Sequence, residues 1–238
     1  MSYHPDIFGL AFRDYLDGQT DENVIVNIDF GEPEVLSVSY FFRPFAVMPF
    51  YEKKVLRACT GKVLDVGAGA GSHGLYLQKK GFDVTAIDIS QGGVECMKRR
   101  GINKAVKADI LKFTDGTYDT ILFLMNGIGM AQTLSKLYSL LQHVSALLSR
   151  GGKIFIESTD LAYLYEEDDG SVMINLAAKY YGETTYRLTY KGISGKPFPW
   201  LFVDFDNLCN ISARAGLKCE MFYRGKTGNY IAVLHKNG

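Results

Sequence analysis

From Lys62 onward, short apolar runs alternate with amphipathic stretches. Val63–Val66, Phe82–Asp88, Ala105–Ala108, Tyr118–Leu124 and Lys153–Ser158 each read as a short buried strand. Ser72–Lys80 reads as a helix stopped by Gly81. Ser90 can cap a second helix that runs to Arg100 and stops at Gly101. Leu134, Leu137, Leu141, Val144 and Leu148 recur every three or four residues, which predicts an amphipathic helix ended by Gly151-Gly152. Strands and helices alternating in this way predict a parallel sheet covered by helices on both faces.

The flanks follow other rules. Ile7–Leu16 reads as a short helix. Val24, Val26, Ile28 and Phe30 alternate with other residues, the period of a half-buried strand. Gly31-Glu-Pro33-Glu reads as a turn, Val35–Phe42 as a second strand, and Pro49 opens a helix that runs to about Cys59 with Gly61 beyond its end. After Asp160 the alternation breaks. Leu161–Trp200 is a long excursion with a helix expected near Val172–Tyr181 and a strand over Thr184–Tyr190. Asp204–Ala215 predicts a helix closed by Gly216. Leu217–Arg224 and Tyr230–Lys236 predict an antiparallel hairpin. The expected fold is a doubly wound, mostly parallel α/β sheet with that hairpin and accessory strands from both excursions. We read 238 residues as one domain: an N-terminal accessory segment over 1–60, a core over 61–160, an insertion over 161–200, and the last helix and hairpin over 201–238.

Composition narrows the function. Apolar residues at 47% and charged residues at 22% exclude a disordered or fibrous chain. Lys+Arg and Asp+Glu number 26 each, so the basic excess of a phosphate-coating protein is missing and no nucleic-acid partner is expected. Cys59, Cys96, Cys209 and Cys219 form no CxxC pair and no zinc spacing, which reads as four free thiols in a reducing compartment and no metal. The start lacks the basic and apolar regions of a signal peptide, and the apolar run around Ile121–Ala131 is too short to span a bilayer. The expected setting is the cytoplasm, away from membranes.

The chemistry concentrates in Val63-Leu-Asp65-Val-Gly67-Ala-Gly69-Ala-Gly71-Ser-His73-Gly74. A strand enters three alternating glycines and leaves into a helix. Glycines there allow a sharp turn and close approach of a ligand, and the helix N-terminus offers unpaired N–H groups. Gly69-x-Gly71-x-x-Gly74 matches the dinucleotide fingerprint, so a nicotinamide-dependent oxidoreductase is one reading. Against it, Asp65 sits in the mouth of the loop, where it repels a pyrophosphate and attracts an ammonium group. The longer register Asp65-x-Gly67-x-Gly69-x-Gly71 accounts for more of the residues.

This segment resembles the class I, Rossmann-like S-adenosylmethionine-dependent methyltransferases, and the likeness extends over about Pro49–Ser158 and the terminal hairpin. The resemblance implies S-adenosylmethionine as cofactor and S-adenosylhomocysteine as product. It implies that Asp65, Gly67, Ala68, Gly69 and Gly71 face the methionine part. Asp88, 23 positions after Asp65, would accept the ribose hydroxyls, with Ile89 against the adenine. Asp109, followed by Ile110, would accept the adenine amino group, and Asn126-Gly127 would line the sulfonium and the methyl's exit. A methyltransferase and a cofactor-binding protein without turnover both fit this pattern.

Other residues carry two readings each. Tyr40-Phe41-Phe42-Arg43 reads as a lid whose Arg43 meets the methionine carboxylate, or as an ordinary strand with a solvated arginine. His73 reads as an acceptor-side residue or as a helix-start packing residue. Methyl transfer from a sulfonium needs a base only if the acceptor must first lose a proton, so no catalytic residue is assigned; His73, Asp160 and the lid tyrosines are the candidates. Asn126-Gly-Ile-Gly129 departs from the Asn/Asp-Pro-Pro-Tyr/Phe pattern of methyltransferases acting on amides or exocyclic amines. With the balanced charge, this points to a small-molecule acceptor. Tyr40, Phe41, Tyr163 and Trp200, in the aromatic excursions, are the expected pocket wall beside His73.

Overall fold

The computed structural model describes residues 5–29, 32–165 and 179–236. Phe30, Gly31 and most of the helix expected near Val172–Tyr181 lie outside the described residues. In chain order the elements are α1 (Ile7–Leu16), β1 (Asn23–Ile28), β2 (Glu34–Ser37), α2 (Phe50–Ala58), β3 (Val63–Val66), α3 (Ser72–Lys79), β4 (Val84–Asp88), α4 (Gln91–Arg99) and β5 (Lys104–Lys107). Then come β6 (Tyr118–Phe123), α5 (Leu134–Ala146), β7 (Leu148–Thr159), β8 (Glu183–Tyr190), β9 (Ile193–Ser194), β10 (Phe198–Leu201), α6 (Phe205–Arg214), β11 (Leu217–Arg224) and β12 (Asn229–Lys236).

Seven strands make one sheet in the order β11-β12-β7-β6-β3-β4-β5. β3–β4, β4–β5 and β6–β7 run parallel, and β7–β12–β11 run antiparallel. A second sheet has the order β10-β8-β1-β2, with β9 paired to β8. The accessory strands thus come from the N-terminal segment and from the excursion after β7, as expected. The chain divides into two compact units, Met1–Thr114 with Thr185–Phe198, and Asp115–Thr184 with Pro199–Gly238.

In the first unit, α1 lies on β1 because its apolar face carries Ile7, Ala11 and Phe12. These pack with Val24, Val26, Val38, Leu188 and Tyr190. The helix is pinned by Asp6, which caps it at Gly9 N (2.9 Å) and also accepts from Ser90 Oγ (2.8 Å) and Gly92 N (2.9 Å). Gly9 and Gly92 let α1 approach α4 backbone to backbone; a Cβ on Gly92 would run into Gly9. In the second unit, Thr133 and Asp204 cap α5 and α6 with their side-chain oxygens.

Three expectations are corrected. The strand over Val35–Phe42 ends at Ser37 and becomes a 3₁₀ turn, Val38–Phe42. Consecutive residues of a strand face opposite ways. The turn instead sends both Phe41 and Phe42 toward α1, where Phe41 meets Phe8 and Phe12, and Phe42 stacks on Tyr15. Gly151-Gly152 do not end a helix: α5 stops at Ala146, and both glycines lie inside β7, where the register against β6 shifts. Finally, two cysteines are not free. Cys209 on α6 and Cys219 on β11 are bonded, their Cα atoms 5.1 Å apart across the turn at Gly216, while Cys59 and Cys96 are buried outside any disulfide.

Candidate active site

In the first unit the site grows from the β3–α3 connection. Gly67, Gly69 and Gly71 have φ of +67°, +56° and +82°, a region that disfavours side chains. Their duties differ. A Cβ on Gly71 would meet Met97 Cγ at 2.9 Å, so this glycine lets the loop pack down on α4. A Cβ on Gly69 would meet only the Phe12 ring, at 3.7 Å. Gly67 N and Ala68 N both bond Ile87 O, at 2.9 and 3.0 Å, which ties the loop to the end of β4.

Asp65 ends up inside. It is 2% exposed, and its Oδ2 is buried without a partner. Burial pushes its carboxyl above the ordinary value. Asp88, at the end of β4, accepts from Gly69 N through Oδ2 and from Ser90 N through Oδ1, each at 2.8 Å. It therefore ties the glycine loop to the start of α4 through its two oxygens. Burial raises its carboxyl too. Ile89 beside it is 72% exposed, a bare apolar surface. Asp109 follows β5 and accepts from Leu111 N at 3.0 Å, with Ile110 buried next to it. Ala108 N bonds Asp88 O, so the two strand ends are neighbours.

Around this loop the 3₁₀ turn is clamped. Ser72 Oγ donates to Phe41 O at 2.7 Å, and Arg100 donates to Ala70 O at 2.5 Å and to Phe42 O at 3.4 Å. Arg43 is buried rather than solvated. Its Nη2 meets both oxygens of Glu52, at 2.5 and 2.7 Å, and the Tyr40 ring lies 3.8 Å from its guanidinium. His73 Nε2 meets Glu52 Oε2 at 3.0 Å. Burial would raise the Glu52 carboxyl, but the His73 and Arg43 contacts override it and hold the group below the ordinary value. Sequence reasoning missed Glu52. The signal was there: with Val55 and Leu56 it forms the i, i+3, i+4 face of α2, an acid on an apolar stripe.

In the second unit, β6 ends in strain. Met125 and Asn126 are non-glycine residues at φ +55° and +53°. Met125 N donates to Glu157 Oε2 at 2.6 Å. Asn126 Nδ2 reaches Leu201 O at 3.4 Å, and its Oδ1 is buried without a partner. Gly127 is buried, and a side chain at Gly129 would run into the Trp200 indole. Tyr180 and Tyr181 donate to Asp204 and Asp160 at 2.5 and 2.8 Å; burial raises both phenols, and the carboxylates add to it. Asp160, a candidate base, is thus engaged by Tyr181. Tyr163 is exposed on the turn Ala162–Tyr165.

The fold therefore gathers Tyr40, Phe41, Arg43, Asp65, His73, Asp88 and the glycines at one loop, and Asn126, Gly127 and Trp200 at another. Among the described residues, no cluster of three acidic, His or Cys side chains is arranged to hold a metal, and no helix is long and apolar enough to cross a membrane.

Residues 64–156 match the family described as a methyltransferase domain. A SAM-dependent methyltransferase from Bacteroides fragilis, solved with S-adenosyl-L-homocysteine, superposes with a TM-score of 0.90 at 38% identity, covering 98% of this chain and 96% of that one. The cypemycin N-terminal methyltransferase of a Streptomyces species is 30% identical over 104 residues, 42% of this chain and 42% of that protein. The 23S rRNA (uracil(747)-C(5))-methyltransferase of Pyrococcus horikoshii is 36% identical over 76 residues, 31% of this chain and 18% of that protein. The chain thus spans less than half the length of the two curated relatives. The strand–glycine-loop–helix site, the sheet order and the near end-to-end match agree: this chain belongs to the class I S-adenosylmethionine-dependent methyltransferases.

Proposed function

We propose that this chain transfers the methyl group of S-adenosylmethionine to a small-molecule acceptor. The observation that carries the cofactor reading is the unpartnered, buried Asp65 Oδ2 beside glycines with positive φ. That oxygen fits an ammonium group, and it argues against the pyrophosphate of a nicotinamide cofactor. S-Adenosylmethionine supplies the activated methyl on its sulfonium, so the protein's work is to bind, orient and exclude water. Asp65 and the loop at Gly67–Gly71 take the methionine part. Asp88, prefixed by two backbone N–H groups, takes the ribose hydroxyls. Ile89 and Ile110 offer apolar surface to the adenine, and Asp109 accepts its amino group. Asn126 Oδ1 is the acceptor atom that lines the methyl's exit.

The small-molecule reading is supported by the balanced charge and by Asn126-Gly-Ile-Gly129, which lacks the proline pair of amide methylation. One relative is named for an N-terminus and the other for a ribosomal RNA, so the acceptor rests on this chain's own residues. Calorimetric titration with S-adenosylhomocysteine tests the cofactor: micromolar binding at one site per chain is expected, and Asp65→Ala with Asp88→Ala should abolish it while the fold persists. NADH binding with none of S-adenosylhomocysteine would overturn the cofactor. Methylation of RNA or protein with none of small molecules would overturn the acceptor.

A further inference from the structure

Glu52 is fully buried, and its carboxylate is the meeting point of two segments that are remote in sequence. Arg43 arrives from the 3₁₀ turn and His73 from the first turn of α3. Arg43 Nη1 is spent on Tyr40 O at 2.5 Å. One donor of this cation, Nε, is buried with no partner. Asp65 Oδ2, an acceptor on an anion, is in the same condition, and His73 is the largest electrostatic influence opposing the burial of that carboxyl. Buried charged groups with unmade hydrogen bonds are rare in packing that serves the fold alone. Here two occur around one cluster, and they are of opposite kind: a cationic donor and an anionic acceptor. An α-amino acid end carries the complement of both, a carboxylate and an ammonium.

We propose that Glu52 is a positioning residue. It fixes Arg43 and His73 so that the site selects a cofactor with a zwitterionic amino-acid tail over an adenosine thioether without one. This rests on the S-adenosylmethionine reading given above. Without the Glu52 charge, Arg43 would be an uncompensated buried cation, and its flexible stem would carry it toward water. His73 would lose the acceptor that sets its ring. The nucleoside half, held by Asp88, would be untouched.

The test compares two ligands by calorimetry: S-adenosylhomocysteine, and 5′-methylthioadenosine, which keeps the adenosine and sulfur but has no amino-acid tail. In Glu52→Gln, S-adenosylhomocysteine should bind at least tenfold more weakly while 5′-methylthioadenosine stays within twofold. Arg43→Lys keeps a cation on Glu52 but removes the fork and the Nε donor, and should give the same split. Circular dichroism checks each fold; if Glu52→Gln does not fold, Arg43→Lys decides. Equal losses for both ligands would mark Glu52 as scaffold and overturn the proposal, as would an unchanged preference. A wild-type protein that binds neither ligand would overturn the cofactor reading itself.

Discussion

Asp65 and Glu52 are both buried carboxylates, with opposite titration behaviour. Burial raises Asp65 above its ordinary value of 3.8, so between that value and its higher folded one the native chain holds a proton the unfolded chain has lost. Stability therefore falls as pH rises through that window, and the cost is present in full above it. Asp65→Asn should raise the melting temperature of the ligand-free protein at neutral pH, by about 2–4 °C for each kcal/mol relieved. The same change should weaken S-adenosylhomocysteine at least tenfold, so the ligand-induced rise in melting temperature should shrink. Scanning calorimetry with and without ligand reads both; a lower melting temperature for the ligand-free variant would contradict the burial argument. Glu52 behaves the other way. Its lowered carboxyl contributes stability above its ordinary 4.5, lost as pH falls through the folded value. The sequence singles out Asp65 and Asp88 because one interrupts the apolar run of β3 just before its loop and the other ends that of β4. Glu52 was missed, because Arg43 and His73 reach it only through tertiary contacts.

At the scale of elements, the docking of α1 on α4 depends on two facing glycines and one aspartate. Any side chain at Gly92 would meet the Gly9 backbone, which cannot yield as a flexible side chain would. Gly92→Ala should therefore lift α1 from α4 and uncover Phe12 from above Gly69. Hydrogen exchange should rise across residues 7–16 by at least tenfold, with α3 and β3 protected as before. Exchange unchanged in α1 would show that the helix is held by β1 alone. Helix starts were read well because their signals are local: Asp6, Ser90 and Asp204 each accept from the N–H three residues on, whereas the end of α5 was misplaced onto glycines that belong to β7. The 3₁₀ turn at Val38–Phe42 was misread as strand because its composition is strand-like. What bends it is the pull of two phenylalanines to one side, by Phe8, Phe12 and Tyr15, which no window of neighbouring residues contains.

For the whole molecule, the balance of 26 basic and 26 acidic residues bears on the acceptor. Recognition of a polyanion loses affinity steeply with salt, by about 10³–10⁵ between 50 and 200 mM for six to ten phosphate contacts. A small-molecule acceptor without a charged backbone should show a KM that changes less than threefold over that range. A steep rise in KM would point to a nucleic-acid acceptor instead. The alternating β/α core was legible because each strand and helix announces itself locally and parallel connections have a known hand. The accessory sheet was legible only as strands, since its pairings join distant parts of the chain. The Cys209–Cys219 bond was invisible for a related reason: ten positions along the chain say nothing of a helix folded back on a strand.

The same long reach sets a schedule for making the protein. β1 pairs with β8, Ile28 facing Tyr186, and the first unit is completed by Thr185–Phe198. A ribosome that has released β1 must still add the whole parallel core before β8 exists. At about 5–20 residues per second, that is roughly ten to thirty seconds of translation. Through that interval Val24 and Val26 have α1 and the β2 hairpin for company, but one edge of β1 is open. Until β8 is made, the nascent chain thus carries an unpaired strand edge.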